Sequence, residues 1–237
     1  MTFNPPQAVF FLLSHASGSG HHYAEVFPNL GEQTILAPLD LPGHGKRREE
    51  PLLYDLNAIG KDLGAKAAQI LGQRQDYYVF GHSMGALNAY VMIENLLERG
   101  WGQPKRFFVS SYSVPGWHPI PPGMSDLPDV KMWLESGQRF GKLNQKALPT
   151  PEQIELFSSV YRADLKAVER YLPQRKLFLT VPITVFFAEN DMVDYELVRA
   201  WEAFTSYPLE IIEVPGGHFH PLENSPYLEK LLIERLG

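Results

Sequence analysis

The pentapeptide Gly81-His82-Ser83-Met84-Gly85 restricts the fold of this chain more than any other stretch. Tyr77–Gly81, which leads into it, carries β-branched and aromatic residues, as a buried strand does. After it, Leu87, Tyr90, Val91 and Leu97 recur at helical spacing and are expected to face inward. A strand must therefore pass directly into a helix at Ser83. So sharp a turn strains the residue at its apex. Side chains two positions to either side would collide with the neighbouring strand and helix, which accounts for Gly81 and Gly85. The turn projects the Ser83 hydroxyl at a helix N-terminus, where partial positive charge favours a developing anion. G-x-S-x-G alone is common; between a strand and a helix it marks a nucleophile elbow.

Similar apolar runs recur at Ala8–Leu13, Thr34–Leu39, Phe107–Ser110, Ile183–Ala188 and Glu210–Val214. Several are apolar on both faces, the pattern of parallel strands covered on both sides. Helical patterns alternate with them. Leu56, Ile59, Leu63, Ala67, Ile70 and Leu71 lie on one face of a helix that Asp55 can cap, and Tyr195–Phe204 reads as another, capped by Asp194. The fold class is therefore α/β: an α/β-hydrolase fold with a mostly parallel central sheet flanked by helices. The 237 residues suit one domain, with no repeat or long linker to divide them. Residues 114–172 break the alternation: a Pro-rich loop (Pro115, Pro119, Pro121, Pro122) leads into helical patterns around Val130–Ser136 and Pro151–Tyr171. An insertion here, after a strand that ends beside the nucleophile, is expected to form a helical lid.

A serine hydroxyl needs a general base, and in this fold an acid and then a histidine follow it along the chain. Of eight histidines, His218 and His220 follow the elbow by a domain's length. His218 stands in Pro215-Gly-Gly-His-Phe219, directly after a strand, and is assigned as base; His220 is assigned as a loop neighbour. Glu189, Asp191 and Asp194 compete for the acid after Ile183–Ala188, with Asp191 ranked first and Asp194 second. The oxyanion needs two donors: the Met84 N–H, and one from the loop His15-Ala-Ser-Gly-Ser-Gly20, where Ala16 is the candidate.

Other chemistries fit less well. That Gly/Ser loop has Tyr23 where a dinucleotide fingerprint needs glycine, and no P-loop lysine follows. The pairs His21/His22 and His218/His220 have no carboxylate at ligand spacing, so neither a metal nor a cofactor is expected. There is no cysteine, hence no disulfide or thiolate, in keeping with a reducing, cytoplasmic setting. The net charge of −6 without a basic stripe argues against nucleic acid; Lys46, Arg47 and Arg48 read as a solvated turn. Neither a signal peptide nor a membrane span is apparent.

With these residues placed, the chain from about Phe10 onward resembles the type II thioesterases, the free-standing editing enzymes of non-ribosomal peptide and polyketide assembly lines. Leu12–Gly20 resembles their opening loop, with Ser14 in the usual proline position. Leu39–Arg47 resembles their Pro-Gly-Arg segment, with His44 where arginine is common. Ser125–Asp129 resembles the start of their lid, and Tyr161-Arg-Ala-Asp-Leu165 with Glu169-Arg-Tyr171 the helix that leads back to the core. Trp201 and Gly216-Gly-His-Phe219 also fit. The resemblance implies a catalytic Ser83, Asp191 and His218, and an oxyanion hole at Ala16 and Met84. It implies hydrolysis of acyl groups from the phosphopantetheine arm of a carrier protein, through an acyl-enzyme, by a monomer. His15, Met124, Met132, Trp133, Leu134 and Phe140 are candidates to line the acyl pocket. A general carboxylesterase, or an acyltransferase to an acceptor other than water, would use the same three catalytic residues.

Overall fold

In Val9–Leu13 (β1) all five side chains are buried, although consecutive ones point to opposite faces of a sheet. Val9, Phe11 and Leu13 enter the larger of two core clusters, while Phe10 and Leu12 enter the other. A strand apolar on both faces needs cover on both. In the computed structural model, which describes residues 8–141 and 150–237, helices supply that cover on either side of one six-stranded sheet. The other strands are β2 (Ile35–Leu39), β3 (Tyr77–His82), β4 (Arg106–Ser110), β5 (Ile183–Ala188) and β6 (Glu210–Val214). All neighbours pair in parallel, in the order β2-β1-β3-β4-β5-β6. Each strand lies within one residue of its expected bounds.

The helices are α1 (Gly20–Val26), α2 (Leu30–Gln33), α3 (Leu56–Leu71), α4 (Met84–Glu98), α5 (Asp129–Arg139), α6 (Pro151–Glu169), α7 (Tyr195–Arg199), α8 (His220–Glu223) and α9 (Ser225–Ile233). The inner faces of α3 and α4, with Val198 and Trp201, build the larger cluster. Tyr23 of α1, Leu30 of α2, and Leu228 and Leu232 of α9 build the opposite one. Asp55 caps α3, accepting the Ala58 N–H at 2.8 Å, and Asp194 caps α7, accepting the Leu197 N–H at 3.0 Å. Beyond Arg199 the helix expected to reach Phe204 tightens into 3₁₀ turns over Ala200–Phe204.

Two side chains expected in the core are not fully there. Ile70 of α3 is exposed, and Leu97 at the end of α4 is half-buried. Helix α3 presses on α4 through Gly60 and Gly64, where a Cβ would stand 2.9 Å from the Val91 carbonyl oxygen and 2.2 Å from Asn95 Oδ1. That close approach centres the buried stripe on the glycine side and leaves Ile70 on the rim.

Trp201 is the largest fully buried side chain of the larger cluster. It lies edge-on to Phe107 at 5.6 Å, and its indole N–H donates to the Tyr112 carbonyl at 3.2 Å. Trp201→Ala removes this ring and leaves that carbonyl unpartnered. The expected loss is about 3–5 kcal/mol of stability, read from the urea midpoint; a loss below about 1 kcal/mol would contradict this account.

Among the described residues of 114–172 there is no strand. A 3₁₀ turn at Met124–Asp126 and helix α5 pack on α6, which starts with a Thr150/Gln153 capping box. Arg162 of α6 binds the Ser125 and Leu127 carbonyls and the Asp129 carboxylate, and Glu169 accepts the Ser125 N–H and hydroxyl at 3.0 and 2.6 Å. Ile120, Met124, Met132, Tyr161 and Leu165 form a small core of their own, with Ala16 packed against it. The C-terminal part of α6, Ala167 and Val168, belongs to the main core. Among the described residues no helix is long and apolar enough to cross a membrane.

Candidate active site

The chain steps from β1 to β2 in one direction along the sheet and from β2 over β1 to β3 in the other. The loops leaving β1 and β3 therefore diverge, and a crevice opens at the carboxyl ends of these two strands. Among the described residues only three other than glycine have a left-handed backbone: Ser17 (φ 58°), Ser83 (φ 54°) and Ser111 (φ 54°). They follow β1, β3 and β4 and surround this crevice. Such strain persists only where the surrounding structure holds it.

At Ser83 the restraints are plain. Its N–H donates to the Ser110 carbonyl at 2.8 Å, and the Ala86 N–H donates to its carbonyl at 2.9 Å. A Cβ on Gly81 would stand 2.3 Å from the Gly85 oxygen, and one on Gly85 would stand 2.4 Å from the Leu13 oxygen. Only glycine allows β1, β3 and α4 to meet this closely.

His218 Nε2 lies 2.9 Å from Ser83 Oγ, and His218 Nδ1 lies 2.9 Å from Asp191 Oδ1. The same Oδ1 accepts the Met192 N–H at 2.7 Å. Asp191 is fully buried. Burial by itself would raise its carboxyl, but the hydrogen bond and charge of His218, helped by the Met192 N–H, outweigh it and hold the group below the usual carboxylate range. The Ser111 hydroxyl donates to the His218 carbonyl at 3.4 Å, and among the described residues Asp191 Oδ2 has no hydrogen-bond partner. Of the competing acids, Glu189 is exposed and bonded to the Asn190 amide, and Asp194 is occupied as the α7 cap.

His220 turns away from Ser83. Its Nε2 and His82 Nδ1 each lie 3.0 Å from the Ser110 hydroxyl. Burial, only partly opposed by Asp191, pushes His220 down to about 4. Burial and the imidazoles of His218, His15 and His220 hold His82 well below its ordinary value. Neutral imidazoles therefore pack behind His218, whose outer face meets the Phe140 ring at 4.7 Å. Among the described residues no three His, Cys, Asp or Glu side chains are grouped as metal ligands.

A small apolar cavity opens over Ser83. Ala16 and Met84 flank the serine, and His15 and Phe140 stand in the wall. Met84 is the first residue of α4, so its N–H has no acceptor within the helix. Met124 and Met132, expected in the wall, instead lie in the small core behind it, and neither Trp133 nor the exposed Leu134 reaches the cavity. Helix α6 comes between: Tyr161, Asp164, Leu165 and Val168 form its cavity face. With Tyr112 and Ile120, these are wall residues that sequence reasoning missed. Asp164 did carry a readable sign, because a carboxylate at helical spacing among Tyr161, Leu165 and Val168 breaks an apolar face. A larger groove, where Arg175 pairs with Glu94 and Glu98, lies away from Ser83 and is lined mainly by polar side chains.

Comparison with known proteins gives the same fold and a family. The chain matches the family model described as Thioesterase domain over residues 9–235. It is 28% identical to the human medium-chain S-acyl fatty acid synthase thioesterase, covering 97% of this chain and 87% of the relative. It is 27% identical to thioesterase PikA5 of Streptomyces venezuelae, covering 88% and 73% respectively. The solved structure of BorB, the type II thioesterase from the borrelidin biosynthetic cluster, superposes with a TM-score of 0.85 at 25% identity, covering 99% of this chain and 94% of that one.

Proposed function

Because this chain belongs to the thioesterase domain family and is thus a hydrolase of thioesters, we propose that it is a type II thioesterase that removes acyl groups from the phosphopantetheine arm of carrier proteins through Ser83, His218 and Asp191. The observation that carries this reading is the unbroken line from Asp191 through His218 to Ser83, with both contacts at 2.9 Å, beneath an apolar cavity.

The steps follow from those contacts. His218 Nε2 takes the Ser83 proton as Oγ attacks the thioester carbonyl. Asp191 accepts the Nδ1–H, which leaves Nε2 free as base and stabilises the imidazolium. The N–H groups of Met84 and Ala16 receive the oxyanion, at about 2.7–4 kcal/mol per donor. The tetrahedral adduct collapses, the C–S bond breaks, and the thiolate takes the proton from His218. Water then gives a proton to His218 and attacks the Ser83 ester; the acid leaves and Oγ regains its proton. The apolar wall formed by α6, Ile120 and Tyr112 holds the acyl chain.

On this reading kcat/KM for an acyl-loaded carrier protein exceeds that for the same acyl group on coenzyme A or nitrophenol by about 10-fold or more, because remote contacts contribute to transition-state binding. Equal values would point to a general esterase. Products formed with added amine or alcohol acceptors would reveal an acyltransferase instead.

A further inference from the structure

Asp164 is 1% exposed, and its Oδ2 joins three parts of the molecule. It sits on α6, accepts the backbone N–H of Ser17 at 2.6 Å, and lies 3.0 Å from His44 Nε2. Ser17 is the left-handed residue of the loop after β1 and directly follows Ala16. His44 is 5% exposed, and its Nδ1 lies 3.0 Å from the Pro42 carbonyl oxygen. A carbonyl only accepts, so Nδ1 carries a hydrogen. A carboxylate oxygen also only accepts, so the two contacts together suit a ring with a hydrogen on each nitrogen, the imidazolium. Among the described residues this is the one ion pair with both side chains 5% exposed or less apart from the His218–Asp191 contact.

We propose that Asp164 and His44 are positioning residues: their ion pair latches helix α6 to the loop after β1, keeps the Ala16 N–H turned toward the oxyanion, and releases that loop when His44 loses its proton. The inference rests on the reading of Ala16 as an oxyanion donor. Loss of the His44 proton sets an imidazole lone pair against the Asp164 carboxylate. The carboxylate then keeps only the Ser17 N–H, and the strained backbone at Ser17 is no longer over-determined.

The groups facing His44 give the direction of the switch. Asp164 approaches from α6, and Asp40 from the end of β2. Asp40 itself is held by the Ser19 hydroxyl at 2.7 Å and by the Gly20 and Lys46 N–H groups at 2.9 and 2.8 Å, with His21 of α1 at 3.8 Å. His15 and Ser14 from the β1 loop and Asn88 from α4 border the same small space. Arg47 pairs with Asp62 and Glu50 and donates to the Asp40 carbonyl at 2.9 Å. Burial pulls His44 down, but the hydrogen bond and charge of Asp164, the Pro42 carbonyl and Asp40 outweigh it and raise the group above its ordinary value. The latch is therefore closed below the ordinary histidine range and opens as pH rises through the raised value.

The test is the pH profile of kcat for nitrophenyl butyrate hydrolysis, from about pH 6 to about pH 9.5. The wild type should show an alkaline fall of about 10-fold or more. His44→Gln keeps a donor that cannot titrate, and His44→Arg keeps a permanent cation; both should lose the alkaline fall. Asp164→Asn should lower kcat by about 10²-fold with KM changed by less than about twofold, since the interaction lost acts only in the transition state. Loss of packing alone would not remove a titration. An alkaline fall that persists in both His44 variants, or is absent from the wild type, overturns the proposal; so does unchanged kcat in a folded Asp164→Asn. Should that variant not fold, the His44 variants still decide. Ser83→Ala assayed alongside separates the two readings. Retained turnover there refutes the catalytic assignment, whereas an inactive Ser83→Ala with an unaltered fall in the His44 variants refutes the latch alone.

Discussion

Ser83→Ala is expected to abolish turnover, with kcat lower by roughly 10⁶-fold, and to prevent labelling by a fluorophosphonate. The expectation follows from the loop rather than from the motif alone. His218 Nε2 has Ser83 Oγ at 2.9 Å, whereas the nearby Ser111 hydroxyl is turned to the His218 main-chain carbonyl and Ser110 is shared between His82 and His220. Among the described residues no neighbouring hydroxyl is placed to take over. Alanine deletes one oxygen from a half-buried position, so the variant should fold, and mass spectrometry of the probe-treated protein reads the result directly. A labelled, active Ser83→Ala protein would refute the assignment.

Asp191→Asn should be nearly as severe, with kcat down by on the order of 10⁴-fold. The asparagine amide would donate to His218 Nδ1, so the ring proton would move to Nε2 and face Ser83, which then has no base. Asp194→Asn, three residues along, is the internal control. Asp194 caps α7, and asparagine caps as well as aspartate does, so kcat and stability should both stay within about threefold and about 0.5 kcal/mol of wild type. Steady-state kinetics on the two variants side by side check this. The reverse order would move the acid to Asp194.

These sites were legible in the sequence to different degrees, for physical reasons. Strand positions were readable because residues such as Phe10, Phe11, Phe107 and Phe108 are apolar on both faces, and only a buried parallel strand requires that. Ser83 was readable because the glycines on either side are dictated by contacts of 2.3 and 2.4 Å that no Cβ survives. Strand order was not, since it depends on which apolar faces meet in space. The cavity wall was misjudged for the same reason. Met124 and Met132 have the size and polarity of pocket residues, but α6 lies between them and Ser83, and helical periodicity says which side of a helix is buried, not against what. Ile70 kept the period yet lost its cover, because Gly60 and Gly64 draw α4 to one side. Asp164 meets Ser17 and His44, both far from it along the chain, and helical spacing carries no sign of such contacts.

Strands β4 and β5 are neighbours in the sheet, yet the whole stretch from Ser111 to Pro182 separates them along the chain. The entropy of closing such a loop grows only with the logarithm of its length, about 0.6 kcal/mol for each doubling. The stretch of this crossover before α6 can therefore lengthen or shorten at little entropic cost to the sheet, and the crossover supplies Ile120, Tyr161 and Leu165 to the cavity. The Gly81–Gly85 turn has no such latitude. A molecule of this design can change what it accepts while keeping what it does to it, provided that the change leaves the Gly81–Gly85 turn and the Asp164 contacts of α6 in place.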